Sequence, residues 1–183
     1  MTTSKETVTL DEAKEQVRRV CIRLGLLHLS FARTLVDELG EKRGKELILK
    51  AIKDYSIRIG GKSKAEATAQ GLDNTPTNFK EDLPLYGMHE RRETVEVDGE
   101  TRRCIYGCVM GKLWNELGEG KLGRLYWLCG TAKFMAYNPD FKLAHVRALP
   151  DGDECCELVI RPTTEQERKD FADKDKDWSY IDR

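Results

Sequence analysis

Two Asp-Gly pairs, Asp98-Gly99 and Asp151-Gly152, limit the folds that are open to this chain. Each pair lies between two short segments of strand-like sequence, and Asp-Gly at such a place is a strong signal for a tight hairpin turn. Strands that follow each other in adjacent pairs are expected to pair antiparallel, without a crossover helix between them. The sequence therefore predicts an α+β domain rather than a doubly wound sheet.

The N-terminal part follows a helical period instead. Thr9 and Glu12 have the spacing of a capping box, and the first helix is predicted to end near Gly40. Its apolar residues recur at intervals of three and four and are predicted to form one buried face. The predicted face comprises Val17, Val20, Cys21, Leu24, Leu27, His28, Phe31 and Leu35.

A second helix is predicted from about Glu41, with a break or kink at Gly60 and Gly61. Two short helices are predicted between the hairpins, one beginning near Cys108 and one ending before Pro139. We expect the long N-terminal helices to pack on an antiparallel sheet made of the two hairpins. The order is therefore long helices, hairpin, two short helices, hairpin.

The chain is predicted to hold one domain followed by a charged tail. The domain covers residues 1–163, with a helical part at 8–72, a hairpin-helix-helix-hairpin part at 92–161, and a C-terminal tail at 164–183. Most tail residues are polar or charged, so the tail is expected to be mobile or loosely docked. Trp178 is expected to hold it at one point.

Composition excludes several classes of function. The 183 residues carry 31 basic and 32 acidic side chains, a net charge of −1, which does not favour nucleic acid or an anionic membrane as a partner. No apolar run is long enough to span a bilayer, and the N-terminus has no hydrophobic signal core. We expect a cytoplasmic protein whose six cysteines are reduced thiols.

The cysteines do not have the spacing of a closed zinc site. Cys104 and Cys108 are four apart and Cys155 and Cys156 are adjacent, whereas structural zinc sites use four ligands in recurrent short spacings. Phosphate-binding glycine loops and the usual hydrolase motifs are absent from the sequence. The sequence requires no cofactor, and a metal bound by cysteines is left open.

Cys108 is the most suggestive thiol, because a thiolate at a helix start is stabilised by free backbone N–H groups. The alternative for Cys108 is a small residue packed under the hairpin. Side chains alternate along a strand, so Cys156 is predicted to face the interior and Cys155 the more polar side.

His145 is predicted to lie on the buried face of its strand, either as a hydrogen-bonded structural histidine or as a general base. By spacing alone, Cys129 and Cys21 are core residues.

The second half of the chain resembles the L-2-amino-thiazoline-4-carboxylic acid hydrolase family. The residues that carry the resemblance are Cys108, Trp114, Leu117-Gly118, Leu122-Gly123, Cys129, Asn138-Pro139, Gly152-Asp153 and Cys156. They lie within about residues 104–161. One departure is Ala132, where many family members carry an acidic residue.

The resemblance implies a hydrolase that opens a thiazoline-type ring at its C–S bond and gives an N-carbamoyl-cysteine-like product. It implies a catalytic role for Cys108, as the nucleophile or as a polarising thiolate, and for His145 as base. The other implied site residues are Cys129 and Cys156, which would line the pocket, and Asn138, Asp153 and Trp114, which would bind substrate.

An alternative from another class is a non-catalytic domain that binds a small ligand, a tetrapyrrole or a metal in a cysteine-lined pocket. In either case the expected partner is a small molecule, and a homo-oligomer is left open.

Overall fold

The computed structural model describes residues 7–81, 83–84 and 86–183. Its helices and strands are α1 (Leu10–Leu39), α2 (Glu41–Ala69), β1 (Arg91–Val97), β2 (Glu100–Tyr106), α3 (Val109–Glu116), α4 (Gly120–Tyr137), β3 (Phe141–Arg147), β4 (Cys155–Pro162) and α5 (Glu165–Ala172). Short 3₁₀ turns lie at Pro76–Asn78, Leu149–Asp151 and Ser179–Asp182. The predicted α+β class is confirmed.

Both hairpins belong to one antiparallel sheet with the strand order β1-β2-β4-β3. In the first turn, Asp98 and Gly99 take positive φ angles of 53° and 79°, which these two residue types tolerate better than others. In the second, the turn Leu149–Asp151 ends at Gly152, which is left-handed with φ 98°. The sheet predicted from the two Asp-Gly pairs is therefore confirmed, with β2 and β4 as its central strands.

Helix α4 lies between the sheet and the two long helices. One side of α4 packs against β3, and α2 packs along another side of it. Helix α1 packs on α2 and also contacts α3 and α4. The long helices therefore cover the sheet through α4, and α3 and α4 contribute the fully buried side chains of Trp114, Thr131 and Ala132.

Helix α1 begins and ends where the sequence predicts. The hydroxyl of Thr9 accepts from the Glu12 N–H at 3.2 Å, and the Glu12 carboxylate accepts from the Thr9 N–H at 2.9 Å. The predicted single buried face is wrong, however. The buried residues of α1 are Cys21, Gly25, Leu29 and Ala32, whereas Val20, Leu24, Leu27 and Phe31 are exposed.

Gly60 and Gly61 do not break α2, which continues to Ala69. A Cβ at Gly60 would lie 2.3 Å from the carbonyl oxygen of Lys133 on α4, while a Cβ at Gly61 would meet nothing within 4 Å. Gly60 is therefore needed for the close approach of two helices. The predicted break was wrong because the sequence alone does not distinguish a glycine that allows packing from one that ends a helix.

The C-terminal segment is docked, against the expectation of a loosely attached tail. Thr164 caps α5 through a capping box with Glu167, and the Lys142 ammonium of β3 donates to the Glu167 carboxylate. Trp178 and Ile181 are buried, and the Trp178 ring packs edge-on against Phe171. A few apolar residues in a charged segment thus suffice to hold it on the domain.

Within the described residues, none of the helices is long and apolar enough to cross a membrane.

Candidate functional site

The two adjacent cysteines of β4 point to opposite faces of the sheet, as strand alternation predicts. Cys156 faces α4, where the indole Nε1–H of Trp127 donates to its sulfur at 3.2 Å. Cys155 faces the other side, where its thiol is hydrogen-bonded to that of Cys104 on β2. The prediction that Cys155 lies toward the more polar side did not include its burial. Cys155 is buried because β4 is a central strand of the sheet.

Charged side chains cover the outer face around Cys155. Glu157, in phase with Cys155, is buried and accepts from Arg102 at 2.7 Å, and Arg147 lies 3.5 Å from its other oxygen. Burial raises the pKa of the Cys155 thiol to about 11. Cys155 and Cys104 are therefore structural thiols of the outer face.

Cys156 has two hydrogen-bond donors beside its sulfur. Besides Trp127, the backbone N–H of Leu149 donates to its sulfur at 3.4 Å. Burial raises the pKa of Cys156, and the two donors together with the charge of Arg124 oppose that rise without reversing it. The sulfur is held in place in its protonated form.

Cys108 is the N-cap residue of α3, as predicted, but its thiolate is not favoured. The N–H groups of Gly111 and Met110 lower its pKa, but burial outweighs them and raises the pKa to about 12. Protein atoms thus surround the sulfur densely, although part of the residue still reaches solvent. The expected stabilisation of the charged thiol fails because desolvation is larger than the effect of two N–H groups.

Cys129 lies in a different environment. On α4 it is one turn from Tyr126, and the two side chains are close enough for Cys129 to affect the pKa of Tyr126. The Tyr126 ring contacts His28 of α1 and Tyr55 of α2 at centroid distances of 5.4 and 6.4 Å. Because residues 127 and 129 lie about 200° apart on a helix, Cys129 and the Trp127–Cys156 contact are on different sides of α4.

His145 lies on the sheet face that also carries Cys156, and it belongs to a buried polar network. Its Nδ1 is 2.7 Å from Oδ1 of Asp182, and the hydroxyl of Thr131 donates to the same oxygen at 2.7 Å. Arg124 donates to the other oxygen of Asp182 and, through Nε, to Asp151 at 3.2 Å. The contact does not decide between the two predicted roles of His145, structural histidine or general base. In either role, the Asp182 carboxylate orients the imidazole ring.

Arg124 links this network to the thiol. It lies one turn before Trp127 on α4, and its positive charge acts on Cys156. Within the described residues, its Nη1 is buried without a hydrogen-bond partner. An unpaired buried donor costs about 1–3 kcal/mol, so this nitrogen has an unmet demand for an acceptor.

The three residues predicted to bind substrate use their polar atoms within the protein. Trp114 is fully buried and donates from Nε1 to the Gly25 carbonyl at 3.2 Å. Asn138 donates to the Asn74 carbonyl at 2.8 Å, and the Asp153 carboxylate accepts from the Ala148 N–H at 2.8 Å. These are contacts of core and turn residues, and a role in substrate binding stays a prediction.

A cleft of about 420 Å³ opens between the N-terminal half of α1 and the start of α3. Its walls include Gly107 and Val109, the two neighbours of Cys108. Its other lining residues are Asp11, Lys14, Glu15, Arg18, Ile22, Gly87, His89, Glu90, Lys112, Leu113 and Glu116. The volume is in the range of small-molecule sites, and charges of both signs surround it.

His89 lines this cleft, although the sequence offered no reason to select it. Burial, together with the charge of Arg92, lowers its pKa, so the ring is neutral near pH 7. The signal that could have selected His89 is its place in the loop before β1, which the hairpin brings back beside Cys108. The N–H of Val109 donates to the carbonyl of Met88, which fixes this proximity.

In the part of the chain that the structure describes, no group of three or more His, Cys, Asp or Glu side chains is arranged to hold a metal ion.

The family description L-2-amino-thiazoline-4-carboxylic acid hydrolase matches residues 12–160, most of the 183-residue chain. The chain belongs to this family. No curated protein and no solved structure matches the chain. The resemblance seen in residues 104–161 is confirmed, and the match extends it over both long helices.

The family match covers four predicted site residues but not the carboxylate that contacts His145. The four are Cys108, Cys129, His145 and Cys156, whereas Asp182 lies beyond the matched residues. Ala132, where the resemblance led us to expect an acidic residue, is fully buried in α4. A carboxylate buried at this position would need hydrogen-bond donors or a cation as partners, whereas the methyl group of alanine needs none.

Proposed function

We propose that this chain hydrolyses a small cyclic thiazoline carboxylate, opening the ring at its C–S bond to give an N-carbamoyl-cysteine-like product. The observation that carries the proposal is the cleft whose walls include Gly107 and Val109, the two chain neighbours of Cys108, whose own side chain packs against the core. The family to which the chain belongs is named for this substrate class. The cleft is therefore the proposed substrate site.

The reaction consumes one water. The water oxygen bonds to the ring carbon that carries the amino group, and the bond from that carbon to the ring sulfur breaks. One proton of the water ends on the ring nitrogen and the other on the released sulfur. A base that accepts the first proton and a donor that supplies the second are the groups the protein must provide.

Cys108 is the proposed reacting thiol, and it requires help from a base. With a pKa of about 12, only a very small fraction of this thiol is ionised at neutral pH. In the covalent route the Cys108 sulfur bonds to the ring carbon, the bond from that carbon to the ring sulfur breaks, and the thiol proton passes through a neighbouring base to the ring sulfur. Water then displaces the Cys108 sulfur from the same carbon, giving one proton to the imino nitrogen and one back to the thiol. His89 is the candidate base in the cleft because its lowered pKa keeps it neutral, and His145 is the candidate on the side of Cys156.

The charges of the cleft suit a substrate with both a carboxylate and an amidine-type group. Lys14 lies 3.5 Å from Asp11 and Arg18 lies 2.7 Å from Glu15. Lys112 likewise pairs with Glu90. A zwitterionic substrate can exchange its own charges for these exposed pairs at small cost, because exposed pairs contribute little by themselves.

Turnover of 2-amino-thiazoline-4-carboxylate, followed by mass spectrometry of the carbamoyl product, tests the proposal. Cys108→Ser should lower kcat/KM at least about 100-fold. The matched control is Cys155→Ser, which removes another buried thiol on the far side of the sheet. Full activity in Cys108→Ser would contradict the role of Cys108, and absence of product from the unmodified chain would contradict the substrate class.

The base is assigned by comparing His89→Asn and His145→Asn. The variant that lacks the base should lose both rate and the near-neutral step in its pH profile. The other variant should keep the step. If both keep it, neither histidine is the base.

A second candidate is non-catalytic binding of a small anionic ligand, such as a tetrapyrrole carboxylate. It is favoured by the unpaired Nη1 of Arg124 beside the protonated Cys156. An equilibrium titration with a tetrapyrrole carboxylate and with zinc discriminates. Tight binding without turnover, weakened in Arg124→Gln, supports this function, and turnover without added metal supports the hydrolase.

A further inference from the structure

Helix α1 carries a second apolar face that its own domain does not cover. Leu29 and Ala32 face the core, but four larger or branched residues on another side of the helix are exposed. Their exposed fractions are 64% for Val20, 38% for Leu24, 54% for Leu27 and 66% for Phe31. A phenylalanine left two-thirds exposed beside three aliphatic residues is more than scattered surface apolarity.

The four residues follow the spacing of a coiled-coil seam. They are separated by four, three and four positions, and Leu10, Ala13 and Val17 continue the same alternation toward the N-terminus. Seven apolar positions from 10 to 31 thus span three heptads, about 32 Å of helix. Ala13 and Val17 are partly buried, and Val17 packs against the core, so we call only the exposed members, Leu10, Val20, Leu24, Leu27 and Phe31, the α1 seam. A sustained seam of this kind is typical of a helix that packs against another helix.

The seam and the core face are distinct sides of one helix. Core residues Cys21, Gly25 and Ala32 each follow a seam residue by one position, which is a rotation of about 100°. A helix that needed only to cover its own domain would be polar on the remaining sides. The second apolar side therefore has a use outside the domain.

We propose that the α1 seam is the interface of a homodimer, in which α1 of one chain packs against α1 of a second copy. From the exposed fractions, the seam offers about 500 Å² per chain, so a pair would bury about 1,000 Å², which reaches the size of specific interfaces. A two-fold pair uses the same patch on both chains, so one seam is sufficient.

The charges around the seam favour a second copy over an anionic lipid surface. Helix α1 carries five acidic and five basic side chains, so both signs are present on it and its net charge is zero. Interfacial membrane helices instead concentrate lysine and arginine beside their apolar face. A polar rim of mixed charge around an apolar centre is the usual anatomy of a protein interface.

Sedimentation equilibrium of the full chain, over a wide range of protein concentration, tests the proposal. Leu27→Glu should raise the dimer dissociation constant at least about 30-fold. The matched control is Leu26→Glu, because Leu26 is 43% exposed on the same helix but lies off the seam. Leu26→Glu should dimerise like the unmodified chain.

Circular dichroism should show that Leu27→Glu is folded, so that a loss of dimer is not a loss of structure. Phe31→Glu, at the most exposed seam position, is the second variant. An unmodified chain that stays monomeric at every concentration overturns the proposal. Equal weakening by Leu26→Glu also overturns it. Binding of the monomer to phosphatidylserine vesicles, lost in Leu27→Glu, would assign the seam to lipid instead and overturn self-pairing.

Discussion

Oδ1 of Asp182, the penultimate residue, lies 2.7 Å from Nδ1 of His145 on β3. The same carboxylate accepts from Thr131 and Arg124, so the end of the chain completes a network that spans α4 and the sheet. Asp182 is almost fully buried. The C-terminal segment is therefore part of the domain, and its last residues orient the histidine.

Asp182→Asn should lower the free energy of unfolding by at most about 3–5 kcal/mol, because it removes the buried one of the two carboxylates that pair with Arg124 and leaves only Asp151. The control is Asp175→Asn, since Asp175 forms an exposed pair with Lys50 and should change stability by less than about 1 kcal/mol. Urea unfolding at pH 7 measures both. Equal small effects would show that the network contributes little.

Stability should also fall in acid through the same residue. Burial alone would raise the pKa of Asp182, but the hydrogen bond from His145 and the charges of His145 and Arg124 outweigh it and lower the pKa. A lowered carboxyl pKa contributes stability above the unfolded value, about 3.9, and that contribution is lost as pH falls through the folded value. Asp182→Asn should therefore flatten the unfolding profile below about pH 4.

His28 should give a separate pH dependence. Burial lowers its pKa, partly opposed by its hydrogen bond to the Leu122 carbonyl at 2.9 Å. The unfolded chain then takes up the proton first, so stability falls as pH drops below about 6.5, by at most about 1.4 kcal/mol per pH unit. His28→Gln, which can keep the N–H donor, should lose less stability than the unmodified chain between pH 7.5 and 5.5. Parallel loss in both proteins would contradict the assignment to His28.

The two glycines of α2 should respond in opposite directions to alanine. Gly60→Ala places a methyl group 2.3 Å from the Lys133 carbonyl oxygen and should destabilise by about 1–3 kcal/mol. Gly61→Ala meets no atom within 4 Å and should stabilise by about 0.5–1 kcal/mol through helix propensity. Thermal unfolding of the pair checks this, and a loss of stability in both variants would argue for a real kink.

The thiols of Cys108 and Cys155 should react slowly at neutral pH. Burial raises the pKa of Cys108 to about 12 and that of Cys155 to about 11, so neither forms much thiolate. Timed alkylation with peptide mass spectrometry should show Cys108 labelled more slowly than a free thiol at pH 7 and faster as pH rises. Rapid labelling of Cys108 at pH 7 would show that its thiolate is stabilised after all.

Much of the local architecture could be predicted from short stretches. The capping box at Thr9 and Glu12, the turn at Asp98-Gly99 and the opposite directions of Cys155 and Cys156 depend on residues near in sequence. Each follows from backbone geometry alone. The order of the sequence elements was enough to group the hairpins into one sheet.

The candidate site was predictable only in part. Residue type and helix position selected Cys108, but the sign of its pKa shift depends on how much protein surrounds the sulfur. His89 was missed because nothing in its own sequence context shows that the hairpin returns to the start of α3. Asp182 was missed because it lies in a segment whose composition indicates poor burial.

The helix starts and the alternation of side chains along the strands could be predicted from the sequence, since both depend on interactions within a few residues. Three features are visible only in the tertiary structure. They are the apolar side of α1 that is buried, the helix contact that Gly60 allows, and the hydrogen bond between Asp182 and His145. Burial and close packing depend on partners far away in the chain. Periodicity can identify an apolar side of a helix, but it carries no information on whether that side meets the core, a second molecule or water.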